Sequence, residues 1–148
     1  IGLFQTDALP ALLPALTPLA SEFRLIAVLF ADRGVDLRVA PGLATAGFAG
    51  VMLDTAEKSE GDLLDHLPLP DAADFVAAAH RYGLLAGLAG SLGRARVPGL
   101  LGIKADYLGF RGALCEGRRT SRLSIGALQD IRGLIAGGVY RPIASDAA

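Results

Sequence analysis

Tryptophan is absent from this sequence, cysteine occurs once and lysine twice. Each shortage closes a class of explanation. A lone Cys115 can make no internal disulfide and supports no cysteine-based metal centre, so a reducing compartment, the cytoplasm, is the expected location. Lys58 and Lys104 are the only lysines among 14 basic residues, which leaves two candidates for any chemistry that needs a primary amine. His66 and His80 have no partner at metal-ligand spacing, and no metal site is expected. An excess of one charge is missing as well. A formal net charge of −1 provides no bulk field for nucleic acid or a membrane surface. Long apolar runs are also missing. Mean hydropathy is +0.46, yet charge-free stretches such as Val39 to Leu53 fall short of the roughly 18 residues a spanning helix needs, and they contain Pro and Gly. No basic segment followed by an apolar one stands at the start, so no secretory leader is expected.

What remains is 148 residues, 52% hydrophobic and 20% charged. That suits one globular domain, 1–148, and excludes a disordered chain. Short apolar runs recur at Ile1–Phe4, Leu25–Ala31, Gly50–Leu53, Leu84–Ala89 and Asp106–Phe110. They show little alternation, as strands buried on both faces of a parallel sheet do. Helical stretches lie between them. The clearest is Ala72–Tyr82, with Asp71 as N-cap, Asp74 completing a capping box, and Gly83 as the left-handed stop. Phe75, Val76, Ala79 and Tyr82 would face the sheet. A last helix is predicted over Ile125–Ala136. Asp7–Glu22 carries Pro10, Pro14 and Pro18 and is expected to be broken. Ala95–Ile103 holds a turn or two, and 138–148 reads as a flexible tail. Strands alternating with helices make an α/β protein with a parallel sheet. Two architectures fit: a complete five-stranded doubly wound sheet, or about five strands of a (β/α)8 barrel.

Ligands of both architectures sit at the carboxyl ends of the strands. Asp32 and Arg33 follow the second apolar run. Asp54, Thr55, Glu57 and Lys58 follow the third, Gly90, Ser91 and Gly93 the fourth, and Arg111 and Gly112 the fifth. Asp54 and Lys58 are four residues apart, and the lysine is long enough to return over the strand end. A carboxylate opposes the neutral amine that nucleophilic attack requires, but it can relay protons. The plainer reading is a solvated acidic loop. Gly90-Ser91 and Arg111-Gly112 point to a phosphate site, with backbone N–H groups and a forked guanidinium as donors. The plainer reading there is tight turns. His80 reads as a helix-surface residue, His66 as a loop residue and Cys115 as inert. The Arg118, Arg119, Arg122 cluster reads as a solvated loop that could meet an anionic substrate. No P-loop occurs, and Gly87-Leu88-Ala89-Gly90 is no dinucleotide fingerprint.

Taken together, these segments carry a family resemblance. Val51-Met52-Leu53-Asp54-Thr55-Ala56 with Lys58, then Leu88-Ala89-Gly90-Ser91-Leu92, then Gly109-Phe110-Arg111-Gly112-Ala113-Leu114-Cys115 resemble the (5-formylfuran-3-yl)methyl phosphate synthase family in order and spacing. The likeness is strong from about residue 50 to 122 and extends weakly back through Ala31-Asp32 to Ile1-Gly2-Leu3. It implies a (β/α)8 barrel and a lyase that joins two molecules of glyceraldehyde 3-phosphate into a furan aldehyde phosphate. The reaction is an early step toward methanofuran-type one-carbon carriers. It implies an aldolase-like lysine imine and no metal or organic cofactor. Carried over by motif, Asp54 and Lys58 match an active-site pair, with Lys58 assisting proton transfer or electrostatics. Gly90, Ser91, Arg111 and Gly112 match strand-end positions assigned to phosphate, and Asp32 matches a strand-end aspartate of open role.

The family's imine-forming lysine lies upstream of the segment matching Ile1. The resemblance therefore implies that this chain corresponds to the fourth strand onward. Its expected partners are a small phosphorylated triose and the N-terminal part of the same barrel, with a homo-oligomer left open and neither nucleic acid nor membrane involved. Two alternatives stand beside it: a non-catalytic phosphate-binding α/β module, and another class I aldolase-like enzyme.

Overall fold

The computed structural model describes residues 1–3, 8–36 and 38–137. Five parallel strands form one sheet: β1 (Gly2–Leu3), β2 (Ile26–Phe30), β3 (Gly50–Asp54), β4 (Leu85–Leu88) and β5 (Tyr107–Leu108). Their order in the sheet is their order in the chain. Among the described residues, six α-helices connect and flank them: α1 (Leu9–Glu22), α2 (Val39–Thr45), α3 (Leu63–His66), α4 (Leu69–Arg81), α5 (Val97–Leu101) and α6 (Ile125–Gly137). Phe4, Asp7 and the 138–148 segment lie outside the described residues.

Side chains in register on neighbouring parallel strands share a face. The pairings Ala27↔Val51↔Ala86 and Leu29↔Leu53↔Leu88 make one row. All six are 0–1% exposed and join the core with Leu43, Phe75, Val76 and Ala79 of the helices. The opposite row runs Val28↔Met52↔Gly87↔Tyr107 and Ile26↔Gly50↔Leu85. Its side chains Ile26, Val28, Met52, Leu85 and Tyr107 are only half-buried, and none belongs to the core. The helices therefore cover one face of the sheet. This corrects the expectation of strands buried on both faces: apolar composition marks both rows alike, whereas burial distinguishes them. A doubly wound sheet reverses its strand order and carries helices on both faces. This sheet does neither.

The small residues of the half-buried row are required by close approach. A Cβ on Gly50 would lie 2.7 Å from the Leu85 carbonyl oxygen and 2.9 Å from Ile26 Cδ1. Tyr107 lies across Gly87, where a Cβ would meet its ring at 2.2 Å. Its hydroxyl is buried with no partner among the described residues. Burial, and then Asp106, raise its pKa above the usual phenol value.

Helix α1 is continuous, against expectation. Pro10 occupies its first turn, where no N–H is needed. Pro14 and Pro18 sit on the same exposed stripe, while Leu9, Leu13, Leu16 and Ala20 face inward. The carbonyls that lose a partner are thus open to water. Helix α4 starts two residues before the predicted Asp71 cap. Pro68 is its N-cap without a side-chain bond, Pro70 presets the first turn, and Asp71 lies within that turn. Gly83 has φ +71°, as a left-handed stop requires. Tyr82, predicted to face the sheet, is 44% exposed because it lies beyond the last helical residue.

Gly50→Ala is expected to destabilise the fold by about 1–3 kcal/mol through overpacking against backbone. Gly133→Ala on α6, where a Cβ meets nothing within 4 Å, is expected to be neutral or to add a few tenths of a kcal/mol. Urea unfolding of both variants checks the pair, and equal midpoints would refute this account of β3.

Candidate active site at the strand ends

The site begins at the last residue of β3. Asp54 follows the half-buried row, and its Oδ1 accepts the Thr55 amide at 2.7 Å. Lys58 returns over the strand end, and its Nζ donates to Asp54 Oδ1 at 2.5 Å. The same nitrogen donates to the Thr55 carbonyl and approaches Thr55 Oγ1 at 3.4 Å. These are three acceptors, the number that a three-donor ammonium can use. Both side chains of the pair are about a quarter exposed, while Thr55 is fully buried.

The loop that carries Lys58 is fastened from both neighbouring strands. From the β2 side, Asp32 accepts the Ala56 amide at 2.8 Å and the Glu57 amide at 2.7 Å, one on each oxygen. Burial opposes ionisation of Asp32, but the hydrogen bonds from Glu57, Ala56 and its own backbone outweigh it and hold the pKa below the usual carboxylate value. From the β4 side, the Gly90 carbonyl accepts the Leu63 amide at 2.9 Å. Arg96 reaches Asp62 at 2.7 Å and Asp65 at 2.8 Å. Those two aspartates form the capping box that starts α3.

Gly90 and Ser91 shape the wall beside the pair. Gly90 has φ +103° and Ser91 φ +51°. A Cβ at Gly90 would stand 3.0 Å from both Thr55 N and Thr55 Cγ2, so the β4 turn lies directly on the β3 end. The Ser91 and Leu92 amides donate to no acceptor among the described residues. A cleft of about 500 Å³ opens beside them, lined by Asp54, Lys58, Gly90, Ser91, Arg111 and Gly112 together with Phe110 and Arg119. Six of the seven residues that the sequence assigns to the site thus meet in one cavity. The seventh, Asp32, is outside its lining and spends both oxygens on the Lys58 loop.

The other residues singled out lie elsewhere or do something else. His80 is exposed on α4 with Nε2 2.8 Å from Asp106 Oδ2. His66 ends α3 instead of lying in a loop, and its Nε2 is buried without a partner among the described residues. Cys115 is half-buried. No helix among the described residues is long and apolar enough to cross a membrane. Among the same residues no group of three His, Cys, Asp or Glu side chains is placed to hold a metal ion. Sequence reasoning missed the Arg96 staple and the two roles of Thr55. The Asp62-Leu63-Leu64-Asp65 spacing carried the α3 signal.

A model of the family described as 4-HFC-P synthase matches residues 1–132. The chain belongs to the 4-HFC-P synthase family. Among curated relatives, a candidate (5-formylfuran-3-yl)methyl phosphate synthase of Methylorubrum extorquens is 47% identical over 93 residues, 63% of this chain and 39% of the relative. The (5-formylfuran-3-yl)methyl phosphate synthase of Methanococcus maripaludis strain C6 is 42% identical over 83 residues, 55% of this chain and 35% of the relative. That of Methanothermobacter thermautotrophicus strain Delta H is 38% identical over 107 residues, 71% and 40%. The chain thus covers no more than 40% of the length of these three relatives. A crystal structure of a candidate fructose-1,6-biphosphate aldolase from Coccidioides immitis aligns with 93% of this chain and 60% of its own, at TM-score 0.49 and 13% identity.

The Asp32 contacts carry a pH dependence. The folded pKa is depressed, so the stabilisation is fully present above the unfolded value and is lost as pH falls through the folded one. Asp32→Asn is expected to cost about 1 kcal/mol near neutrality, keeping one acceptor oxygen of two, and to flatten the acid limb of the stability curve. Amide exchange at Ala56 and Glu57 across an acid titration is the readout, and an unchanged acid limb would count against it.

Proposed function

We propose that this chain supplies the last five βα units of a (β/α)8 barrel lyase. The whole enzyme joins two molecules of glyceraldehyde 3-phosphate into (5-formylfuran-3-yl)methyl phosphate, with loss of phosphate and water, in the cytoplasm and on the route to methanofuran-type carriers. The observation that carries this reading is the cleft at the strand ends. A charge-balanced Lys58–Asp54 pair stands there beside the arginine-lined lobe of a family member. The barrel is supported by the sequential strand order and by helices on one face only. Ile26, Val28, Met52, Leu85 and Tyr107 form an apolar inner row of the kind that fills a barrel by meeting the remaining strands. The partner implied is the N-terminal part of that barrel.

Within this reading the residues divide their work. Arg111 and the Ser91 and Gly112 amides hold a phosphoryl group, and Gly90 gives the turn its close approach to β3. Lys58, surrounded by three acceptors, serves as an ammonium that donates a proton to a departing or developing oxygen. Asp54 holds the lysine over the strand end, accepts a proton that the substrate releases and passes it to the spent Lys58 amine, which restores the ammonium. The imine-forming amine comes from the upstream part. Asp32 acts through the Lys58 loop without touching substrate.

Incubation with glyceraldehyde 3-phosphate and borohydride, followed by peptide mapping, is expected to leave Lys58 unmodified. A substrate adduct on Lys58 would make it the nucleophile and overturn its role as proton donor. Coexpressed with the preceding βα units of a curated relative, the chain is expected to form the furan aldehyde phosphate, read by mass spectrometry. Lys58→Gln in that pair should lower the rate by about 100-fold or more. A soluble, assembled pair that makes no furan product would favour the non-catalytic phosphate-binding module.

A further inference from the structure

The cleft holds one more cation than phosphate assignment by motif required. Its charged lining is Asp54, Lys58, Arg111 and Arg119. Asp54 and Lys58 cancel each other, which leaves two guanidinium groups uncompensated. Neither Arg111 nor Arg119 has an acidic partner among the described residues, whereas Arg38, Arg94 and Arg96 each do. Two uncompensated positive charges in one small cleft match the roughly two negative charges of a phosphate monoester near neutral pH.

Covalently the two arginines are eight positions apart, but the fold closes that distance. The segment from Arg111 to Ser124 folds back on itself. Cys115 bridges Leu123 antiparallel, the Glu116 amide donates to the Arg122 carbonyl at 2.9 Å, and the Ser124 amide donates to the Leu114 carbonyl at 2.7 Å. The Cys115 thiol sits between the two backbones, 3.2 Å from the Arg111 carbonyl oxygen and 3.6 Å from that of Arg119. A Cβ built on Gly112 would lie 3.8 Å from Arg119 Cβ. The backbones of both arginines therefore meet at one sulfur, and both residues line one cleft.

We propose that Arg119 closes on the phosphoryl group held by Arg111, so that one phosphate is clamped between two forked guanidinium groups, with Cys115 and Gly112 setting their separation. The inference rests on reading the cleft as a phosphate site and singles out Arg119 within an arginine cluster for which the sequence left open both a solvated loop and contact with an anionic substrate. Arg119 is exposed and its side chain has no ion pair among the described residues, so binding and folding can be read separately.

Calorimetric titration of the folded chain with inorganic phosphate, then with glyceraldehyde 3-phosphate, tests it. Arg119→Ala is expected to weaken both about tenfold or more, as does Arg111→Ala. The double variant should lose less than the product of the two, because both arginines hold one group. Arg119→Lys, which keeps the charge but not the fork, should fall between wild type and Arg119→Ala. Urea midpoints of Arg119→Ala and wild type are expected to coincide. Phosphate affinity unchanged in Arg119→Ala but lost in Arg111→Ala would overturn this inference and leave the site reading intact. No phosphate binding by the wild-type chain would overturn both.

Discussion

Parallel pairing of five strands in chain order is the constraint on which the rest of this structure depends. Each strand must be followed by a return connection before the next can pair in the same direction. With all returns on one face, Ala27, Leu29, Val51, Leu53, Ala86 and Leu88 are sealed against helices. Every carboxyl end then emerges at the same edge. The register decides who meets whom there. Phe30 pairs with Asp54 and Leu53 with Leu88, so Asp32 arrives on one side of the β3 end and Gly90 on the other. No long-range force has to gather the site, because the ladder delivers its parts within two residues of one another.

Once gathered, four aspartates around the site are consumed by the scaffold. Asp32 serves two backbone amides, Asp62 and Asp65 cap α3 and hold Arg96, and Asp54 holds Lys58. The electrostatic consequence is as important as the structural one. The carboxylate in the cleft lining, Asp54, is already engaged by Lys58, and Arg111 and Arg119 remain available to an anion. A chain of formal net charge −1 thus presents a locally positive cleft without being basic overall.

The parts of the molecule that sequence reading reached are those with a local or periodic signal. The five apolar runs located all five strands. Reading the polar residues behind each run reached Asp54, Lys58, Gly90, Ser91, Arg111 and Gly112, because a parallel sheet makes strand-end adjacency a rule of topology. Other parts had no such signal. Whether Ile26, Val28 and Met52 are covered is a property of what lies across the sheet, and their apolar character does not reveal it. The continuity of α1 depends on Pro14 and Pro18 sharing a solvent stripe, which a per-residue proline penalty ignores. The Arg96 staple spans 34 positions to Asp62 and 31 to Asp65, beyond any spacing rule. Arg119 looked like one of three loop arginines until the fold turned it toward Gly112.

On the proposed reading, the cleft separates two electrostatic tasks that would interfere if combined. An ammonium placed directly on a phosphoryl group is held there by the strongest attraction in the site and is poorly placed to deliver a proton elsewhere. In this cleft the lysine is bound by Asp54 and Thr55 within its own loop, and Arg111 and Arg119 line the same cleft with no acidic partner among the described residues. The choice of side chain follows from geometry. A compact ammonium with three donors fits three acceptors at a strand end, whereas a planar fork suits two oxygens of an anion. Covering the half-buried inner row would remove solvent from the quarter-exposed Lys58–Asp54 pair and strengthen its internal attraction. The arginines at the mouth would keep their long-range pull on an incoming anion. If the proposed barrel holds, its completion would act on proton transfer more than on capture, since Arg111 and Arg119 already line the cleft in this chain.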